Sequence, residues 1–258
     1  MKLTHSIGRG LGLLMLALAP MAMVHANALS ITYYIIATTD QDVNHLAGGS
    51  FNNEVQAHLG PNGLPVLNTA AYGCTSDCFT AAPLPRDVTA TGELTWWSPS
   101  LNSNVTQTGT GIVNLPFSVP FNFFPPNGTG AGDSGGFQSA VLWGILNVPS
   151  EQTISFNIGA DDAAFAFLDG MVVCNLGGVH PMTPGTCVTP FSIGAGAHTL
   201  DVFFVDLNAV QSGLTFDVTT SGVTTNPPTS VPEPTELGLF GLGLALIGLL
   251  AGVRRRFN

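Results

Sequence analysis

Phe165-Ala-Phe-Leu168, Asp169-Gly170 and Met171-Val-Val-Cys174 follow one another as an apolar run, a two-residue turn signal and a second apolar run. Asp-Gly tolerates the positive φ that a type I′ turn needs at both central positions, and the twist of that turn matches the twist of paired strands, so the stretch reads as a β-hairpin. On either side of it, alternation takes the place of helical spacing. Ile154, Phe156 and Ile158 share one face of a segment whose other face is Thr153, Ser155 and Asn157; Leu200, Val202 and Phe204 repeat the pattern, as do Leu214, Phe216 and Val218. Leu29 to Ala37, Gly92 to Trp97, Gly111 to Phe124 and Phe137 to Leu146 are further predicted strands. Only Asn52 to Leu59 reads as helical, with Asn52 as N-cap and Gly60 as the stop. Many short strands joined by turn chemistry predict an all-β chain folded as an antiparallel β-sandwich or jelly roll.

The chain has 258 residues and a formal net charge of -10, with 6 Lys and Arg against 16 Asp and Glu. Lys2, Arg9 and Arg254 to Arg256 lie at the two ends, and Arg86 stands alone between them. Nucleic-acid binding needs clustered cations to displace phosphate counterions, and a polybasic membrane patch needs the same residues, so both roles are excluded for the interior. The interior is long enough to bury most of its unfolded surface without a staple.

The ends read as addresses. Lys2 and Arg9 precede the apolar run Leu11 to Val24 and the small residues Ala26 and Ala28, the order of a secretory signal peptide over residues 1–28. That run is shorter than the about 20 residues a spanning helix requires. At the other end, Leu237 to Val253 is uncharged over 17 residues and is followed by Arg254, Arg255 and Arg256. This predicts a single transmembrane helix whose C-terminal flank is held in the cytoplasm. Residues 221–230, rich in Thr, Ser and Pro, are predicted to form an extended stalk between residues 29–220 and the tail, 231–258. The tail, with Pro232-Glu233-Pro234, the apolar span and the three arginines in that order, resembles the PEP-CTERM sorting signal of Gram-negative bacteria. The resemblance implies sorting by an exosortase in the inner membrane and export linked to extracellular polysaccharide or biofilm, with the mature domain extracellular or at the cell surface.

The four cysteines suit an exported chain. Cys74 with Cys78 and Cys174 with Cys187 is the local pairing among three possible connectivities, and it is the expected one. Zinc is disfavoured because neither pair has CxxC spacing.

Gly159 to His180, with Asp161-Asp162 leading into a strand, then Asp169-Gly170 and then Gly177-Gly-Val-His180, resembles the fibro-slime domain, a relative of the PA14 β-sandwich. Phe51 to Val66 is similar to an early segment of that family and Gly196 to Asp206 to a late strand. Family members commonly carry acidic, basic and histidine residues after the late strand, where this chain has Asp206-Leu207-Asn208. The resemblance implies that the paired aspartates bind Ca²⁺, which in turn engages sugar hydroxyls. Adjacent carboxylates repel when both enter one loop, so convergence of Asp161 and Asp162 asks for a cation or an unusual backbone; the alternative is a solvated acidic turn. Asp206 and Asn208 are the accompanying candidate ligands, and His180 is a candidate ligand-contacting residue on its turn. The function expected is a Ca²⁺-dependent glycan-binding module, with a structural matrix protein as the alternative.

Gly132-Asp-Ser-Gly-Gly136 matches the nucleophile motif of chymotrypsin-like proteases, yet His45 and His58, the histidines that precede it within the interior, lack the family's context for a base. Its glycine-rich flank reads as a loop. No constellation of His, Asp and Ser or of paired Glu is legible, and a non-catalytic role is expected.

Overall fold

The computed structural model describes residues 27–46, 49–51, 53–69, 86–125, 127–128 and 132–228. They form two antiparallel sheets stacked as a β-sandwich, the architecture that the alternation predicts. The strands are β1 (Ala28–Ile36), β2 (Gly49–Phe51), β3 (Val55–Leu59), β4 (Pro65–Leu67), β5 (Val105–Asn114), β6 (Phe117–Val119), β7 (Phe137–Val148), β8 (Ser155–Asp161), β9 (Ala163–Leu168), β10 (Met171–Val179), β11 (Thr183–Val188), β12 (Gly196–Val205), β13 (Gly213–Val218) and β14 (Thr224–Asn226). The larger sheet runs β4-β3-β10-β9-β12-β7-β1-β5, with β2 added on β10 and β14 on β7. The smaller runs β11-β8-β13-β6. Asp169 and Gly170 both take positive φ, 50° and 73°, and close the β9–β10 hairpin.

The larger sheet is buried on both faces, which explains why β9 is apolar throughout. Ala164, Ala166 and Leu168 point at the smaller sheet and pack with Phe156, Ile158, Leu214 and Phe216. Phe165 and Phe167 point the other way, into a second cluster with Trp96, Trp97 and Phe203. Each buried phenylalanine stabilises the fold by about 1.5–3 kcal/mol relative to an exposed one.

Four local expectations are corrected. Val55–Leu59 is a strand, not part of a helix; Gly60-Pro-Asn-Gly63 turns it back onto β4 through the Gly60 N–H to Leu64 carbonyl bond at 2.8 Å. Asn52 lies outside the described residues. Gly92 to Trp97 makes only isolated bridges, because its indoles cover the outer face: Trp97 Nε1 donates to the Phe204 carbonyl at 2.6 Å and Trp96 Nε1 to Asp42 Oδ2 at 3.0 Å. Gly111 to Phe124 is divided between the end of β5 and β6, on two different sheets, around a cis Leu115-Pro116 bond. Finally, the predicted stalk is in part a strand, since β14 pairs with Ile145 to Asn147 of β7; residues from 229 onward lie outside the described residues.

Strand directions define two poles. β1, β8, β10 and β12 end at one, where β7, β9 and β13 begin. β7 ends and β12 begins at the other; between the two, Asn226 and Leu29 cover Gly144, where a Cβ would stand 2.7 Å from each. Ten-residue β12 spans about 30 Å between the poles.

Candidate functional site

The loop pole gathers most of the site residues expected from sequence. Asp161 closes β8 and Asp162 precedes β9, joined by a cis peptide bond. Asp162 is 2% exposed and acts as a clasp. Its Oδ1 accepts the His180 N–H at 3.0 Å, and its Oδ2 accepts the N–H groups of Leu207 at 2.7 Å and Asn208 at 2.9 Å. One carboxylate thus ties the end of β10 to the loop after β12. Burial, opposed by these three donors, pushes its pKa up to about 7, with the neighbouring Asp161 charge acting in the same direction. Burial raises Asp161 too, against the Met182 N–H that it accepts.

Between these loops lies a cavity of about 320 Å³ lined by Asp161, Asp162, His180, Pro181, Asn208 and Val210 among others. Val210 stands 87% exposed at its mouth. Asn208 is present through its backbone N–H on Asp162. The His180 Nδ1 lies 3.0 Å from the Pro181 carbonyl, which can only accept, and its buried Nε2 has no partner. Asp206, expected beside them, is fully buried and is absent from the cavity lining. The arrangement offers carboxylate, amide and imidazole groups around open space, a donor set suited to a hard cation and to hydroxyl groups.

A second acidic group was not legible in the sequence. Asp40, Asp42 and Asp87 bring ligand oxygens within 4.8 Å of one another and could hold a metal ion. Asp40 and Asp42 are buried in the loop after β1. Asp42 accepts the N–H groups of Arg86 and Asp87 and the Trp96 indole, while Asp40 accepts the Asn104 amide at 3.1 Å. Gln41 Nε2 donates to Asp87, and the Arg86 guanidinium donates to the Gln41 carbonyl rather than to a carboxylate. Burial pushes the Asp87 pKa up to about 7. The alternation Asp40-Gln-Asp42 just past a strand was the available signal. Asn44 joins this loop to the first site: its N–H donates to the Leu207 carbonyl and its Oδ1 accepts from Ala209, both at 2.8 Å.

Cys174 and Cys187 form a disulfide between β10 and β11, as expected from spacing. Cys74, Cys78, Pro232, Glu233, Pro234, Arg254, Arg255 and Arg256 lie outside the described residues. Ser134 sits exposed in a single 3₁₀ turn, Asp133–Gly135.

No family model and no curated protein sequence matches the chain. Solved structures do. Two structures of the β-glucosidase of Kluyveromyces marxianus, one of them in complex with glucose, align with 33% and 46% of this chain at 10% and 11% identity and TM-scores of 0.27 and 0.34. The chain spans only 11% and 15% of their length. The PA14 sugar-binding domain from an RTX adhesin covers 77% of this chain and 94% of its own at 12% identity and TM-score 0.34. The epithelial adhesin 9 A domain of Candida glabrata, in complex with Galb1-4GlcNAc, covers 80% and 93% at 12% identity and TM-score 0.39.

Proposed function

We propose that this chain is an exported, non-catalytic β-sandwich of the cell surface or biofilm matrix that binds glycan through Ca²⁺ held at Asp161 and Asp162, with Asn208 beside them and His180 facing the ligand. The observation that carries the reading is the convergence of Asp161, Asp162, Asn208 and His180 on one open cavity at the loop pole. The resemblance of Asp161-Asp162, Asp169-Gly170 and Gly177 to His180 to the fibro-slime and PA14 motifs supports it. Ca²⁺ prefers six to eight oxygen ligands, and two carboxylates with an amide and backbone carbonyls leave positions for vicinal sugar hydroxyls. Export is supported by the signal-peptide pattern and by the resemblance of the tail to an exosortase-sorted, membrane-held precursor.

The test is retention on immobilised extracellular polysaccharide with Ca²⁺ or EDTA. Retention that requires Ca²⁺ is expected, and Asp161→Asn with Asp162→Asn should abolish it together with the Ca²⁺-dependent rise in melting temperature. Retention indifferent to Ca²⁺ and to the double substitution refutes the site. Absence of both retention and thermal response leaves the structural-matrix alternative.

A further inference from the structure

The strand ends at the loop pole carry oxygen atoms that the Asp161–Asp162 cavity does not use. Asp206 follows β12, and Gln138 is the second residue of β7. Val205 pairs with Ser139, and the Asp206 N–H donates to the Gln138 carbonyl at 2.9 Å, so Asp206 and Gln138 stand opposite each other. Strand alternation puts both side chains on the face of Ala140 and Phe204, toward the space between the sheets. Directly opposite positions bring Cβ atoms to about 5 Å. Both residues are 0% exposed.

Neither carboxylate oxygen of Asp206 meets a donor, and neither does Gln138 Oε1. The Asn208 N–H near Asp206 is directed at Asp162. The Gln138 amide nitrogen donates to the carbonyls of Tyr34 at 3.0 Å and Ser139 at 2.7 Å, which identifies Oε1 as its free acceptor. Asp133 completes the set. Its carboxyl group stands against that of Asp206, near enough for the two to share a proton when no ion is bound, and its Oδ1 is buried without a partner. The turn that carries it is pinned to the end of β1 by Gly136, where φ is 125° and a Cβ would stand 2.1 Å from Ile35 Cγ2 and 2.8 Å from the Ile36 carbonyl oxygen.

Four oxygens from three residues at this end of the sandwich therefore lack any N–H or hydroxyl donor, two of the residues being carboxyl groups in contact. Arg86, the only Lys or Arg among the described residues, is engaged with the Gln41 carbonyl. Buried carboxylates without a counter-charge are strongly destabilising, and an all-oxygen set of carboxylates and an amide suits a hard divalent ion. We propose that Asp206, Asp133 and the Gln138 side-chain oxygen seat a divalent cation of the Ca²⁺ class between the two sheets, separate from the cavity at Asp161 and Asp162. The ion joins β7, β12 and the Asp133–Gly135 turn. Because the Val210 N–H reaches the Asp133 carboxylate, it also steadies the loop at the cavity mouth. The seat does not depend on the glycan reading.

The purified protein is titrated with CaCl₂ by calorimetry, with bound metal counted by elemental mass spectrometry after dialysis. Asp133→Asn and Asp206→Asn should each remove one equivalent of Ca²⁺ or weaken it at least tenfold, while Asp161→Asn with Asp162→Asn retains it. In EDTA at neutral pH, Asp206→Asn should melt higher than the wild type, since it removes a carboxyl group whose ionisation burial and the neighbouring carboxylates oppose; a packing role predicts the reverse. Asp133 lies on a surface turn, so its variant decides the matter if Asp206→Asn fails to fold. Wild-type stoichiometry and affinity in Asp133→Asn overturn the proposal and assign the oxygens to buried water. A single equivalent lost only in the Asp161/Asp162 variant overturns this seat and retains the glycan site; one lost only in the Asp133 and Asp206 variants does the opposite; no binding at millimolar Ca²⁺ removes both.

Discussion

Asp201 lies in β12 between Trp143 of β7 and Phe167 of β9, and no donor among the described residues reaches its carboxylate. Burial alone pushes its pKa from 3.8 to about 6. The folded protein therefore holds this proton more tightly than the unfolded chain. The associated stability is fully present below about pH 4, declines as pH rises and is gone above about pH 6, because the native state must then bury an unpaired charge. At about 1.4 kcal/mol for each pH unit, the loss is about 3 kcal/mol. Asp201→Asn keeps the shape and removes the charge. At pH 7.5 it should be more stable than the wild type by up to about 3 kcal/mol, or roughly 6–12 °C in melting temperature for a domain of this size. At pH 4 the two proteins should coincide. Urea denaturation of both at pH 4, 5, 6 and 7.5 reads the difference directly, since other titrating groups cancel between them. A gap that is constant with pH, or a wild type that is the more stable at pH 7.5, would refute the reasoning.

Two further outcomes are expected. Cys174→Ser with Cys187→Ser should lower stability by about 3 kcal/mol, the chain-entropy value for a loop of 13 residues; urea midpoints equal to wild type would show that the bridge constrains nothing. The exported form should lack both the Leu11 to Val24 run and the Leu237 to Val253 run, and intact-mass analysis that finds either segment would remove the sorting argument.

Much of the sandwich was legible because its information is local. Alternation at Ile154 to Ile158, Leu200 to Phe204 and Leu214 to Val218 sets which face of β8, β12 and β13 is buried, and Asp169-Gly170 specifies a turn by its own backbone preference. The cysteine pair was readable for the same reason, being close along the chain. Val55–Leu59 misled because five residues carry too little periodicity to separate a strand from a helix, and its pairing with β4 and β10 decided the matter.

The sequence alone determined that the interior is a predominantly antiparallel β-structure, poor in cations, and marked at Asp161-Asp162 by carboxylates that no adjacent residue neutralises. Tertiary structure decided what those carboxylates face. It made Asp162 a clasp for loops that follow β10 and β12, moved Asp206 from the cavity into the inter-sheet space, and turned Trp96 and Trp97 from presumed strand residues into the cover of the larger sheet. It also drew Asp133 out of a motif that resembles a protease and set it against Asp206. Such meetings join residues far apart along the chain, and their positions depend on strand order and register, which alternation within any one strand does not encode.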